Sequence, residues 1–265
     1  MIRGASIALA AAALTASEAA SVAAEVEPGM VAAPAGLYTP FLKEKALNAG
    51  DQAPTSARRI EAFRIDVEPV TNAQFLEFVT AHPEWRKSQI KALFADERYL
   101  RGWPSDLRLA DSAARAEPVT DVSWFAAEAY CKARGLKLPT TDQWEYALAD
   151  DGRGQDAVRR RSLEWFAVPN SARLPAIGGG PANGFGVKDM VGLVWEWTLD
   201  FDAYTITPES RDPNGKDGAS FCGGAAAGAA DPTDYPAFMR YSMRASLKAS
   251  YTADNLGFRC AGGAP

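Results

Sequence analysis

NGFGVKDMVGLVWEWT, Asn183 to Thr198, is the stretch on which the reading of this chain turns. Val191, Leu193, Val194, Trp195 and Trp197 fit neither a spacing of two nor one of 3.6, so the backbone is expected to bend inside a packed interior. A buried bend leaves carbonyl oxygens without ladder partners, and these need donors or a cation. Glu196, between two tryptophans, has two readings. It caps a turn or pairs with an arginine, or it joins Asp189, Gly192 and Val194 in an all-oxygen shell of the kind Ca2+ prefers.

Other blocks extend the pattern in order along the chain. PVTNAQFLEF stands at 69–78 and PVTDVSWFAAEAYCKARGLKLPTTDQWEYAL at 118–148. Cys222-Gly223-Gly224 and the closing NLGFRC at 255–260 complete it. With VGLVWEWT these five blocks resemble the signatures of the formylglycine-generating enzyme, or sulfatase-modifying factor, family. The resemblance implies an α+β fold, a C-type-lectin-like variant with small twisted sheets and little regular structure. Its domain is expected over 39–265, behind a signal peptide at 1–24 and a linker at 25–38.

The resemblance also implies a disulfide between Cys131 and Cys260, and structural calcium on Asp189, Gly192, Val194 and Glu196. Catalytic members hold copper between two cysteines after an RGG block and use O2 to turn a substrate cysteine into formylglycine. Here the matching segment, Ala225 to Arg244, contains no cysteine, and Asp231 and Pro236 stand near the missing positions. Copper is therefore not expected. Relatives of the ergothioneine type bind iron through three histidines, whereas this chain has one, His82. The remaining candidates for chemistry are Cys222, Asp231, Tyr235, Arg240 and Arg244. The two arginines, four apart, would share one helical face and pair with Asp231, Asp234 or Glu196.

Cysteine-less periplasmic relatives associated with pyoverdine maturation, or encoded beside copper nitrite reductases, give the nearest functional expectation. It is an exported accessory or maturation factor whose partner is a periplasmic client protein or a small-molecule substrate. A metal-free or Cys222-dependent oxidoreductase and a lectin-like binding module are the alternatives.

Composition agrees with one domain. The 265 residues are 47% hydrophobic, with 22 glycines and 17 prolines spread along the chain, enough apolar content for one core in a loop-rich body. A net charge of −5 argues against nucleic acid or an anionic membrane as partner. Arg3, the apolar run Ile7 to Leu14 and the small residues after it read as an export signal, cleaved after Ala16, Ala20 or Ala24. An oxidising destination then permits the disulfide and leaves Cys222 unpaired.

Local signals place the elements. Ala62 to Val67 alternates as a strand with Phe63 and Ile65 on one face. Thr71 is expected to cap a helix over 73–80, Ser123 one that ends at Gly135, and Thr141 a third carrying Trp144 and Glu145. Glu84 to Arg115 reads as a surface excursion anchored by Tyr99 and Trp103, and Asp151 to Gly180 as loop.

Overall fold

The computed structural model describes residues 27–41, 57–150, 154–169, 173–202, 231 and 233–264. Strand β1 (Met30–Ala33) pairs antiparallel with β4 (Phe63–Asp66), which pairs in turn with β7 (Ala261–Gly262). Strand β2 (Gly36–Tyr38) pairs with β3 (Arg58–Ile60). These pairings correct the expected linker at 25–38. Met30 and Ala33 are buried, so this stretch belongs to the domain despite its Ala, Pro and Gly content. Strand β4 follows its alternation, with Phe63 and Ile65 both inside.

The first three helices start at residues whose side chains satisfy otherwise free backbone amides. Thr71 and Gln74 form a reciprocal capping box on α1 (Asn72–Ala81), and Ser123 accepts from the Ala126 amide at the start of α2 (Trp124–Ala133). Thr140, rather than the expected Thr141, caps α3 (Thr141–Ala149), because its hydroxyl reaches the Gln143 amide. The Thr141 hydroxyl instead meets that of Thr198 at 2.9 Å. The region read as loop contains a further helix, α4 (Gln155–Phe166), which buries only Ser162 and so lacks the apolar face that would reveal it. The last helix, α5 (Tyr235–Ala245), buries Arg240, Tyr241 and Arg244.

The bend predicted within 183–198 ends in β5 (Trp195–Glu196), two residues pairing in parallel with β6 (Leu256–Gly257). Gly257 lets this pairing form under the preceding chain, since a Cβ there would lie 2.7 Å from the Val119 carbonyl oxygen. Trp197 is fully buried and donates to the Val122 carbonyl at 2.9 Å. It joins Phe75, Tyr130 and Phe258 in the larger core, while Phe63, Ile65, Trp144 and Met190 belong to a second. Tyr99 and Trp103 anchor the surface excursion as expected. A disulfide joins Cys131 on α2 to Cys260, 129 residues away, and ties the C-terminal strands to the helix.

Candidate functional site

Helix α3 delivers two consecutive side chains to the centre of the molecule, and each meets a different arginine system. The Trp144 indole donates to Glu196 Oε2 at 2.7 Å, while its ring lies 4.6 Å beneath the Arg244 guanidinium. Glu145 accepts from Arg240 Nε and Nη2, at 3.0 and 2.8 Å, and from Arg244 Nη1 at 2.6 Å. All three charged groups are buried. Burial pushes the Glu145 carboxyl up, but the two guanidiniums outweigh it and hold the group below its ordinary value. Arg240 and Arg244 do share one face of a helix, as their spacing predicts. Their partner is Glu145 rather than Asp231, Asp234 or Glu196.

Glu196 is the centre of the second system. Arg259 donates to its two oxygens from Nε and Nη2, both at 2.7 Å, and neither side chain is exposed. The remaining Arg259 protons go to the carbonyls of Asp66, Val67 and Lys188. Of these three carbonyls only that of Lys188 belongs to the bend, and Glu196 has the arginine partner that its first reading gave it.

Of the expected calcium ligands, Glu196 and Asp189 already carry protein donors. A divalent cation on Glu196 would sit against a buried guanidinium and compete for oxygens that already accept three donors. Asp189 is also engaged, its carboxylate accepting from the Gly178 and Gly180 amides, so that the triple-glycine turn wraps an acid and not a phosphate. Gly192 and Val194 can offer a cation only their main-chain carbonyls. Among the described residues no three His, Cys, Asp or Glu side chains are placed to hold a metal.

The other candidates for chemistry do not converge. Asp231 is exposed and accepts from the amide and hydroxyl of Thr233, which hold its carboxyl below the ordinary range. Tyr235 is half exposed on the first turn of α5. Cys222, with Gly223 and Gly224, lies outside the described residues. Copper held by two thiolates does not fit this chain: of its three cysteines, two are spent in the disulfide.

Glu145 and Arg259 are the residues that local reading passed over, although both stand in the quoted blocks. An acid in the middle of a helix otherwise filled with buried side chains was the available signal. Tyr38, from β2, reaches the same region and its hydroxyl lies 3.2 Å from that of Tyr241. Burial, followed by the nearby Glu145 charge, pushes the Tyr38 phenol up, so it remains a neutral hydrogen-bonding group.

The FGE-sulfatase family, described as the sulfatase-modifying factor enzyme 1-like domain, matches residues 15–264. The chain belongs to this family. Formylglycine-generating enzyme of Bos taurus is similar to it, with 27% identity over 88% of this chain and 74% of that protein. Inactive C-alpha-formylglycine-generating enzyme 2 of Mus musculus is 29% identical over 90% of this chain and 87% of its own. Hercynine oxygenase of Mycolicibacterium smegmatis is 31% identical, but over 56% of this chain and 39% of that protein. Membership in the sulfatase-modifying factor family accounts for the α+β body and for the order of the five blocks. The family includes enzymes, so the site must decide which activity this member carries. Among the described residues no helix is long and apolar enough to cross a membrane.

Proposed function

We propose that this protein is an exported member of the family that acts as an accessory or maturation factor for a periplasmic protein and does not generate formylglycine. The observation that carries the second half is the use made of the cysteines. Two are joined in a buried disulfide, and the helix that contains Pro236, near one of the missing cysteine positions, packs Arg240 and Arg244 against Glu145. A relative named as inactive, matched over most of both chains, supports a non-catalytic role as a possibility within the family. The client proposed first is a copper nitrite reductase, reached after removal of the N-terminal signal.

Oxygen uptake with a cysteine-containing sulfatase peptide and Cu(I) tests the catalytic half. No turnover is expected, and sustained formylglycine production overturns the reading. Deletion of the gene in its native host tests the accessory half, with periplasmic nitrite reductase activity as the readout. Activity should fall, and should return with the wild-type gene and with a Cys222→Ser variant. Unchanged reductase activity removes this client.

A further inference from the structure

Between the C-terminal end of α4, the segment 173–177 and the turns leading into β5 and β6 lies a groove with about 160 Å³ of room, walled by Trp165, Val168, Leu174, Pro175 and Leu193. A cavity of about 150 Å³ holds a benzene ring, so one ring or one branched aliphatic chain fits this space. Each wall is tied down. Arg173 donates to Asp111 and Glu117, and the Ile177 amide donates to the Ala116 carbonyl, which anchors the Leu174–Pro175 wall at both ends. Trp165 packs on Trp195 with 4.7 Å between ring centres, and the Trp195 amide donates to the Asn255 carbonyl, so wall and rim are joined through β5.

The polar groups of the groove are few and adjacent in the chain. Among the described residues Asp254 is the one charged side chain that lines it, and the side-chain amide of Asn255 beside it makes no hydrogen bond. The Asp254 side chain is 70% exposed, and its one ion-pair partner among the described residues, Arg98, stands off at 3.6 Å. Arg98 is shared, because its Nε lies 3.9 Å from the buried Asp121 carboxylate. Both distances exceed a hydrogen bond, and Arg98 Nε and Asp121 Oδ1 are buried without any. Asp96, a third acid on this side, is spent on Thr252. Arg101 pulls on Asp121 more weakly than Arg98 does, and Arg161 lays its stem beside Gly192 without lining the groove. Three acids against these two arginines leave negative charge in excess at the Asp254 end of an apolar groove.

We infer that this groove binds a small primary amine with an aromatic or branched aliphatic body. Its ammonium would donate to the Asp254 carboxylate and to the Asn255 amide oxygen, and its body would lie against Trp165, Leu174 and Leu193. An ammonium carries three donors, enough for both partners with one left to water. A carboxylate or phosphate ligand would meet Asp254 as a like charge, and a neutral one would leave the excess as it stands. The apolar walls supply contact area, and Trp165 a ring for an aromatic body to meet. This inference does not depend on the accessory role, nor on the absence of copper chemistry.

Phenethylamine titrated into the full mature protein at neutral pH, followed by tryptophan fluorescence and calorimetry, is the test. Saturable binding is expected. Phenethyl alcohol, with the same body and no charge, should bind about fivefold weaker, the scale of one exposed ion pair, and hydrocinnamate weaker still. Asp254→Asn should bring the amine down to the level of the alcohol, and as an exposed position it should leave the fold intact by circular dichroism. Leu174→Trp fills the groove from a partly buried position and should abolish binding of all three compounds. Equal affinity for amine and alcohol, full affinity for the amine in either variant, or no saturable signal from the amine would each overturn the inference. The gene-deletion and oxygen-uptake outcomes stand whichever way this titration falls.

Discussion

Replacing Glu196 by Gln separates the two roles that the residue could have. In the folded protein its two oxygens accept three donors, Arg259 Nε and Nη2 and the Trp144 indole, each at 2.7 Å. A glutamine keeps one oxygen and turns its amide N–H toward a guanidinium or an indole, so at least one donor faces another donor. Arg259 keeps its charge with three carbonyls for company, which is incomplete compensation inside a fully buried site. Breaking one side of a buried pair costs about 3–5 kcal/mol. In a domain of this size that lowers Tm by roughly 6–20 °C, measurable by calorimetry or denaturant titration. The calcium alternative behaves differently. A metal bound through Glu196 and present at about a hundredfold excess over its Kd would stabilise the wild type by about 2.7 kcal/mol, and EDTA would remove that. The expected result is a large loss in Glu196→Gln with no calcium or EDTA effect on the wild type. A calcium-dependent rise in Tm that disappears in Glu196→Gln, or a cost below about 1 kcal/mol, refutes the arginine reading.

Asp121 is buried with a left-handed backbone, and burial, opposed by Arg98 and reinforced by Asp254, pushes its carboxyl up to about 6. The unfolded chain ionises first, so rising pH between about 4 and 6 removes stability through this group, by about 1–2 kcal/mol after solvent screening. Asp121→Asn should flatten that slope in denaturation curves recorded at several pH values; an unchanged slope excludes Asp121 as its source. Replacing both Cys131 and Cys260 by Ala opens a loop of 129 residues and should lower stability by about 5 kcal/mol on the chain-entropy account, read as the denaturation midpoint relative to the oxidised wild type. Gly257→Ala forces a Cβ toward the Val119 carbonyl and should cost about 1–3 kcal/mol by the same measurement. A neutral result there would mean that the β5–β6 pairing can shift.

Local physics was readable where a signal and its consequence lie within a few residues. Thr71 and Ser123 cap helices because a hydroxyl reaches an amide three positions on. Phe63 and Ile65 turn inward because a strand alternates, and the five blocks in order identify the family. Helix α4 was not readable, since its arginines and lone buried Ser162 leave no apolar stripe to find. Nor was the early start of the domain, because β1 and β2 are strands only by virtue of their partners β4 and β3.

The sequence by itself determined the family, the starts of α1 and α2 and the shortage of cysteines for a two-thiolate metal site. Only the tertiary structure decided what Glu196 and Arg240 do. Glu196 meets Arg259 from 63 positions away, and Glu145 meets Arg240 and Arg244 across 95 and 99. A buried charge takes whichever partner the folded chain brings within about 3 Å, and spacing along the sequence carries no record of that choice.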